Sequence, residues 1–135
     1  MAGFTEQRRV ATVALVVANY DEAIAWYVGR LGFLLIEDVD LGGGKRRVTV
    51  APARGHGARL LLAEAANETQ TKSIGNQTGG RVFLFLETDD FARDHAAMLE
   101  KGVEFREAPR FEPYGTVAVF ADLHGNLWDL VEPKR

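Results

Sequence analysis

Residues 116–133, TVAVFADLHGNLWDLVEP, form the stretch that decides the fold of this chain. Two runs of β-branched, aromatic and aliphatic residues flank the segment 122–126, in which Gly and Asn tolerate positive φ. This pattern predicts a β-hairpin. In the returning strand, alternation places Asp129 on the same face as Leu127 and Val131 and opposite Trp128. A carboxyl group among aliphatic neighbours is therefore the first candidate functional group.

The composition of the chain excludes several classes of function. The 135 residues are 47% apolar and 26% charged, with a net charge of −3, which provides no basic face for nucleic acid. No apolar run approaches the roughly 20 residues of a membrane-spanning helix. The absence of cysteine excludes disulfides, thiolate metal sites and a Cys nucleophile. Residues 1–9 carry charges without a following apolar segment, so we expect no secretory signal and a cytoplasmic location.

The first half of the chain predicts the order β-α-β-β-β. Residues 8–17 form an apolar strand, and Asn19 with Glu22 makes a capping box for a helix that ends at Gly32. Three further strands follow, over residues 33–40, 45–51 and 60–64. The run of leucines in the last of them indicates burial on both faces or a dimer contact.

A polar segment, residues 65–80, separates this half from the second and predicts a short helix over 68–74 followed by a flexible arm. The order of elements then starts again. The second half consists of a strand over 81–87, a helix capped by Asp89 or Asp90, a strand over 103–107, a connection over 109–114, and the hairpin.

The fold class is therefore α+β, with two βαβββ modules in one domain of residues 1–135. Module 1 covers about 8–65, the linker 66–80, and module 2 about 81–133. Each module is a curved, four-stranded sheet that cannot bury both faces alone. Something else must cover the second face of each sheet.

Three motifs, in this order and spacing, resemble the vicinal oxygen chelate superfamily, the group of glyoxalases, bleomycin-resistance proteins and extradiol dioxygenases. The first is Val16-Val17 before the helix YDEAIAWY at 20–27, the second is LGF at 31–33, and the third is FADLHGNLWDL at 120–130. They match the family's valine-x-aspartate before an aromatic-tyrosine helix, its leucine-glycine-phenylalanine, and its phenylalanine-x-aspartate-proline-x-glycine-asparagine pattern. The resemblance covers about residues 10–132.

The resemblance implies paired βαβββ modules in a homodimer, with mixed sheets that form open barrels around small-molecule cavities. Metal-using members hold an ion with four side chains, mostly His and Glu, at positions that fall here on Thr12, Leu61, Arg81 and Asp129. Leu61 has no donor atom, and the permanent charge of Arg81 repels a cation. A divalent ion needs three or four converging donors. We therefore predict no metal, and no other cofactor, at these positions.

Arg81 and Asp129 belong to the same module and are expected to face one cavity. One hypothesis is an ion pair that fills the place of the lost metal, since an unpaired buried charge is unfavourable. The other is that Arg81 binds a carboxylate or enolate-like group of a ligand, with Asp129 orienting it. The candidate catalytic residues are Arg81, Asp129 and Thr12. The predicted ligand-binding cavity is lined by Thr12, Arg47, Leu61, Arg81, Tyr114 and Asp129.

These observations favour a metal-free small-molecule binder of the bleomycin-resistance type, in the form of a homodimer with aromatic-lined cavities. The alternative is an enzyme of lyase, isomerase or dioxygenase type that acts on a small oxo or aromatic compound, either without a metal or with an atypical metal site. Neither nucleic acid nor a membrane is an expected partner. The fold does not decide between the two functions.

Overall fold

The computed structural model describes residues 3–135, so Met1 and Ala2, at the start of the segment considered for a secretory signal, lie outside the described residues. The elements, in chain order, are β1 Thr12–Val17, α1 Tyr20–Gly29, β2 Leu34–Gly42, β3 Lys45–Ala51, β4 Arg59–Glu64, α2 Glu68–Ser73, β5 Val82–Glu87, α3 Phe91–Glu100, β6 Glu104–Phe105, β7 Arg110–Glu112, β8 Gly115–Ala121 and β9 Leu127–Pro133. Within residues 3–135, no helix is both long and apolar enough to span a membrane.

The first module consists of α1 and sheet 1, whose strand order is β1-β4-β3-β2. Strands β1 and β4 are parallel, and the other neighbours are antiparallel. Helix α1 begins as predicted, because Oδ1 of Asn19 accepts a 2.9 Å hydrogen bond from the amide of Glu22. The strand predicted over residues 8–17 is too long at its start, since β1 begins at Thr12.

The second module consists of α3 and sheet 2, in which β5, β9, β8 and β6 follow one another and β7 also pairs with β8. The predicted hairpin is confirmed as β8 and β9. Of the two predicted caps for α3, Asp90 is the one used, and its Oδ1 lies 3.1 Å from the amide of Arg93. The first module therefore has the βαβββ order, and the second has the same order with β7 as an additional short strand. Both sheets are mixed, which confirms the predicted α+β fold class.

One expected connection is wrong. Residues 109–114 are not an irregular loop, because Arg110–Glu112 forms β7 and pairs antiparallel with the first residues of β8. This strand has only three residues and lies between Pro109 and Pro113, which cannot donate backbone hydrogen bonds. A strand this short has too little alternation to be distinguished from a loop in the sequence.

The two modules share one hydrophobic core, to which each sheet contributes one face. Its buried side chains come from both halves of the chain and include Leu15, Val17, Tyr27, Val48, Leu62, Phe120, Trp128 and Leu130. The rings of Tyr27 and Trp128, one from each module, have centroids 6.1 Å apart. Helices α1 and α3 and one face of each sheet thus contribute to this core, whereas α2 has no buried residue and the opposite sheet faces are not part of the core.

These opposite faces are called here the open face of sheet 1 and the open face of sheet 2. Directly paired residues of neighbouring strands project to the same side of a sheet. The pairing therefore places Ala14, Glu37, Thr49 and Leu61 on the open face of sheet 1. It also places Phe85, Val119 and Asp129 on the open face of sheet 2.

The linker between the modules is held in place at Gln77. Its side-chain Oε1 accepts a 3.3 Å hydrogen bond from the amide of Val16, and its Nε2 lies 3.4 Å from the Val16 carbonyl oxygen. The amide of Gln77 donates to Oδ1 of Asn126 at 3.3 Å. The segment expected to be a flexible arm therefore connects the outer edge of β1 to the hairpin of module 2.

Candidate functional site

Three of the predicted cavity residues lie on the open face of sheet 1. Leu61, which is half-buried, pairs with Ala14 and Thr49. Arg47 is exposed and follows the same alternation along β3. The pairing of β3 with β4 ends at Val48 and Leu62, and where the two strands separate they form a groove of about 540 Å³ that Arg47 and Leu61 both line. Thr12 is exposed at the other end of the face, beside Arg59.

Glu37, which was not singled out in the sequence, lies at the centre of the charged side chains of this face. Glu37 accepts a 3.0 Å hydrogen bond from the hydroxyl of Thr49, and its oxygens lie 3.4 Å from Nε of Arg47 and 3.4 Å from Nη1 of Arg59. The Thr49 hydrogen bond, followed by the charges of Arg47 and Arg59, lowers the pKa of Glu37. The signal in the sequence was the alternation of Glu37 with apolar residues in β2, but only the pairing of β2 with β3 shows its partners.

The open face of sheet 2 carries Asp129 between two apolar neighbours. Asp129 pairs with Phe85 of β5 and with Val119 of β8. Only 7% of its surface is exposed, and its Oδ1 is buried without a hydrogen-bond partner among residues 3–135. Burial raises the pKa of Asp129, an effect that the positive charge of Arg110 opposes and the negative charge of Glu107 reinforces. A buried carboxyl group with an unpaired oxygen is costly for folding and therefore typical of a functional position.

Arg110, which the sequence analysis placed in a loop, is the arginine near Asp129. Its Nε lies 2.9 Å and 3.0 Å from the carboxylate oxygens of Glu107, and its Nη1 lies 2.7 Å from Glu112. The hydrogen bonds to Glu107 and Glu112, with a smaller contribution from Tyr114, raise the pKa of Arg110. Tyr114, which was predicted to line the cavity, thus lies beside this cluster and is 57% exposed.

The expected pair between Arg81 and Asp129 is wrong. Arg81 is exposed, and among the described residues it forms no ion pair with Asp129. The physical reason is a β-bulge in β5, where the register shifts between Val82 and Leu84. The extra residue reverses the faces on which the side chains before Leu84 lie. Phe83 is therefore on the core side, where it packs against Trp128 with ring centroids 6.2 Å apart. Arg81 instead lines a small groove of about 90 Å³ near the linker.

The four positions that the resemblance assigns to a metal do not fit a divalent ion. Thr12 provides a neutral hydroxyl, Leu61 has no donor, and Arg81 is a cation displaced from the face of Asp129. Asp129 is the single carboxylate of the set. Across residues 3–135, no three His, Cys, Asp or Glu side chains are grouped so that they could hold a metal ion. The donor chemistry at these positions therefore supports no step that runs through a metal.

The hairpin motif itself has a structural role. The buried carboxylate of Asp122 accepts hydrogen bonds from the amides of His124 and Asn126, both at 2.9 Å, and from the Asn126 side chain at 2.9 Å. It also accepts a 2.7 Å hydrogen bond from the hydroxyl of Tyr27. Asp122 and Asn126 therefore stabilise the turn. Their side-chain polar atoms are used in hydrogen bonds within the protein and are not directed towards a ligand.

Two βαβββ modules with a shared core and two open sheet faces define a class of small, paired-module proteins. The chain belongs to the Glyoxalase/Bleomycin resistance protein/Dioxygenase superfamily, whose family model matches residues 9–130.

Similar proteins extend over nearly the whole chain. An uncharacterised protein of Shewanella frigidimarina is 52% identical over 127 residues, which are 93% of this chain and 94% of the relative. The crystal structure of UcmS2 is 27% identical, with a TM-score of 0.80, over 93% of this chain and 98% of that one. The structure of TnmS3, an antibiotic binding protein from Streptomyces sp. CB03234, is 30% identical with a TM-score of 0.77, over 97% of this chain and 100% of that one.

Proposed function

We propose that this protein binds a small organic molecule, without a metal, in cavities formed when the open sheet faces of two copies of the chain meet. The observation that carries the proposal is Asp129, a nearly buried carboxyl group with an unpaired oxygen on a sheet face that is not covered by the chain's own core. Binding sites for small molecules are mostly apolar and contain a few well-placed polar groups. The open face of sheet 2 has this character, with Phe85 and Val119 beside Asp129.

The second copy is proposed from the apolar side chains that the chain leaves exposed. Phe85 is 65% exposed, and Val39 and Leu41 of β2 are 48% and 55% exposed. Apolar surface of this kind on sheet faces is stabilised by contact with another protein surface. The antibiotic-binding relative TnmS3 supports a ligand of small-molecule size, and the groove of about 540 Å³ on sheet 1 supports the same size range.

A ligand screen by thermal shift tests this function. The panel contains aromatic antibiotics and small 2-oxo acids, since a molecule that binds only the native state raises the melting temperature. We expect at least one aromatic compound to stabilise the protein. Replacing Leu61 by Gln on the open face of sheet 1 should reduce the stabilisation, whereas the matched change at Leu99, an exposed leucine of α3, should not. Stabilisation by no compound in the panel would contradict the proposal.

Two further measurements test the dimer and the absence of a metal. Size-exclusion chromatography with light scattering at micromolar concentration should give the mass of two chains, and a monomer would remove the proposed cavity. Elemental analysis of protein purified without a chelator should find no stoichiometric metal. A stoichiometric divalent metal that is lost on replacing Asp129 by Ala would overturn the metal-free proposal.

A second candidate function is an enzyme in which Asp129 accepts and returns a proton on a small oxo or aromatic substrate. The position of its carboxyl group on the open face of sheet 2 favours this candidate. The discriminating result is turnover. If a 2-oxo acid both stabilises the protein and is converted, and Asp129→Asn abolishes the conversion while the compound still binds, the enzyme is the correct function and simple binding is not.

A further inference from the structure

Within residues 3–135, no group donates a hydrogen bond to Oδ1 of Asp129. Arg110, the cation whose charge acts on Asp129, contacts Glu107 on one side and Glu112 on the other, at 2.9 Å and 2.7 Å. Glu107 is itself held by the amide of Val119 at 3.1 Å. Arg110 directs Nε and Nη1 to these two glutamates, and within residues 3–135 the buried Oδ1 of Asp129 receives no hydrogen bond.

An exposed aromatic ring lies directly beside this carboxyl group. Phe85 of β5 is the cross-strand partner of Asp129 and is 65% exposed. Neighbouring strands of a sheet lie about 4.8 Å apart, which lets one ligand contact both side chains. The open face of sheet 2 therefore combines a surface on which an aromatic ring can stack with an acceptor for a hydrogen bond at the ring's edge.

The charges around Asp129 determine which kind of hydrogen-bond donor on a ligand is favoured there. Arg110 and Glu107 act on Asp129 through their charges, and Arg110 also contacts Glu112. The same face carries Glu87, which pairs with Val131, and Glu104, which pairs with Ala121 and contacts Arg106. Besides Asp129, this cluster therefore contains two cations and four anions. With Asp129 ionised the cluster has an excess of negative charge, and with Asp129 protonated its net charge is still negative. A ligand carboxylate is repelled by this set, whereas a neutral hydroxyl is tolerated and a protonated amine is attracted.

We propose that Phe85 and Asp129 form a specificity site for an aromatic ligand that carries a hydrogen-bond donor, either a hydroxyl group or, with greater affinity, a protonated amine. The ring of the ligand stacks on Phe85, and its donor binds the carboxyl oxygen that has no partner. Because Oδ1 is buried, binding requires a neighbouring side chain to move, and we assign this movement to Phe85, which pairs with Asp129 and is exposed. This inference rests on the proposed function and specifies the ligand class for the open face of sheet 2.

Four naphthalenes that differ in one substituent test the site. They are 2-naphthylmethylamine, 2-naphthol, 2-methylnaphthalene and 2-naphthoate, and their affinities are measured by calorimetry at neutral pH with the intact protein. We expect the amine to bind at least about tenfold more tightly than the naphthoate, with naphthol and methylnaphthalene between them. Equal affinities for the amine and the naphthoate would overturn the inference, and this comparison needs no variant.

Variants then assign the effect to the two residues. Asp129→Asn keeps the shape of the side chain and should remove most of the preference for the amine, with the affinity for methylnaphthalene changed less than about twofold. Phe85→Ala should weaken all four probes, and Leu99→Gln on α3 should change none. If Asp129→Asn leaves the preference for the amine unchanged, or if it instead weakens the association of two chains, the donor does not come from the ligand and the inference is wrong.

The outcomes separate this inference from the proposed function. Antibiotic binding in the thermal-shift screen without discrimination among the naphthalenes would overturn the ligand class but support the cavity. Binding of no naphthalene and no compound of the screen would overturn both the cavity and the ligand class.

Discussion

The hydroxyl of Tyr27 donates a 2.7 Å hydrogen bond to Oδ2 of Asp122, across 95 positions of sequence. Tyr27 belongs to helix α1 of the first module, and Asp122 begins the hairpin turn of the second. Both side chains are buried. This bond therefore joins two of the motifs that mark the family and stabilises the contact between the modules.

Replacing Tyr27 by Phe is expected to lower the free energy of unfolding by about 1–3 kcal/mol, because Asp122 loses one donor in a buried site. Burial, and then the charge of Asp122, raise the pKa of Tyr27, so the hydroxyl is a donor throughout the neutral pH range. Tyr114→Phe is the control, since Tyr114 is 57% exposed, and it should change stability by no more than about 0.5 kcal/mol. Urea denaturation measures both. Equal effects of the two changes would contradict a role for the bond.

Asp129→Asn is expected to change how stability depends on pH. The pKa of Asp129 is raised in the folded protein, so the folded state binds the proton more tightly than the unfolded state. Its contribution to stability is then greatest below the ordinary aspartate pKa and is lost as the pH rises through the raised value. Asn has no proton to lose and should remove this decline.

The measurement for Asp129 is chemical denaturation of both proteins from about pH 4 to about pH 7. The stability of Asp129→Asn relative to the original protein should increase with pH. Acidic groups with lowered pKa values, such as Glu37 and Asp94, have the opposite pH dependence, but they are present in both proteins and cancel in the difference. A difference that is constant with pH would show that Asp129 ionises normally.

Gly75→Ala is expected to destabilise the protein more than Gly79→Ala. Both glycines have positive φ, of 75° and 67°, so each change has the cost of a left-handed conformation, about 1–2 kcal/mol. A Cβ atom on Gly75 would also lie 2.2 Å from the carbonyl oxygen of His124, whereas one on Gly79 meets open space. The clash should add about 1–3 kcal/mol. Thermal denaturation of the two variants gives the comparison, and equal melting temperatures would show that the linker does not pack against the hairpin turn.

Gln77→Ala is expected to lower the free energy of unfolding by about 1–2 kcal/mol, because the side chain makes hydrogen bonds to the backbone of Val16 and to the carbonyl oxygen of Ser73. Gln77→Glu keeps an acceptor for the Val16 amide but loses both donated bonds, so it should also destabilise. Gln7→Ala, at an exposed position, is the control. Hydrogen exchange of the Val16 amide reports the local effect, and unchanged protection in Gln77→Ala would contradict it.

Much of the fold was predictable because it depends on local patterns. Asn19 and Asp90 cap their helices as the sequence indicates, and the hairpin around 122–126 follows from its turn residues and its two apolar runs. The short strand Arg110–Glu112 was not predictable, since three residues between prolines carry no clear alternation. Its pairing with β8 depends on a neighbour that lies close only in the folded chain.

The candidate site was predictable only in part. The family pattern identified Asp129, and the strand pairing places it on the face opposite to Trp128, as the alternation predicted. The proposed partner Arg81 was wrong, because a single bulge in β5 reverses which side chains share the face of Asp129. Nothing in the local sequence around residues 82–84 signals that extra residue, which is accommodated by the packing of Phe83 against Trp128.

The sequence by itself determined the α+β class, the repeated module, the turn at 122–126 and the presence of one carboxyl group among aliphatic residues, because these depend on periodicity and on the preferences of neighbouring residues. Only the tertiary structure decided which charges surround that group. Strand register and the bulge bring Phe85 beside Asp129, place Arg110 between two glutamates, and move Arg81 away. These relationships arise from contacts between residues distant in the chain, and a shift of one residue in register reverses the face on which a side chain lies.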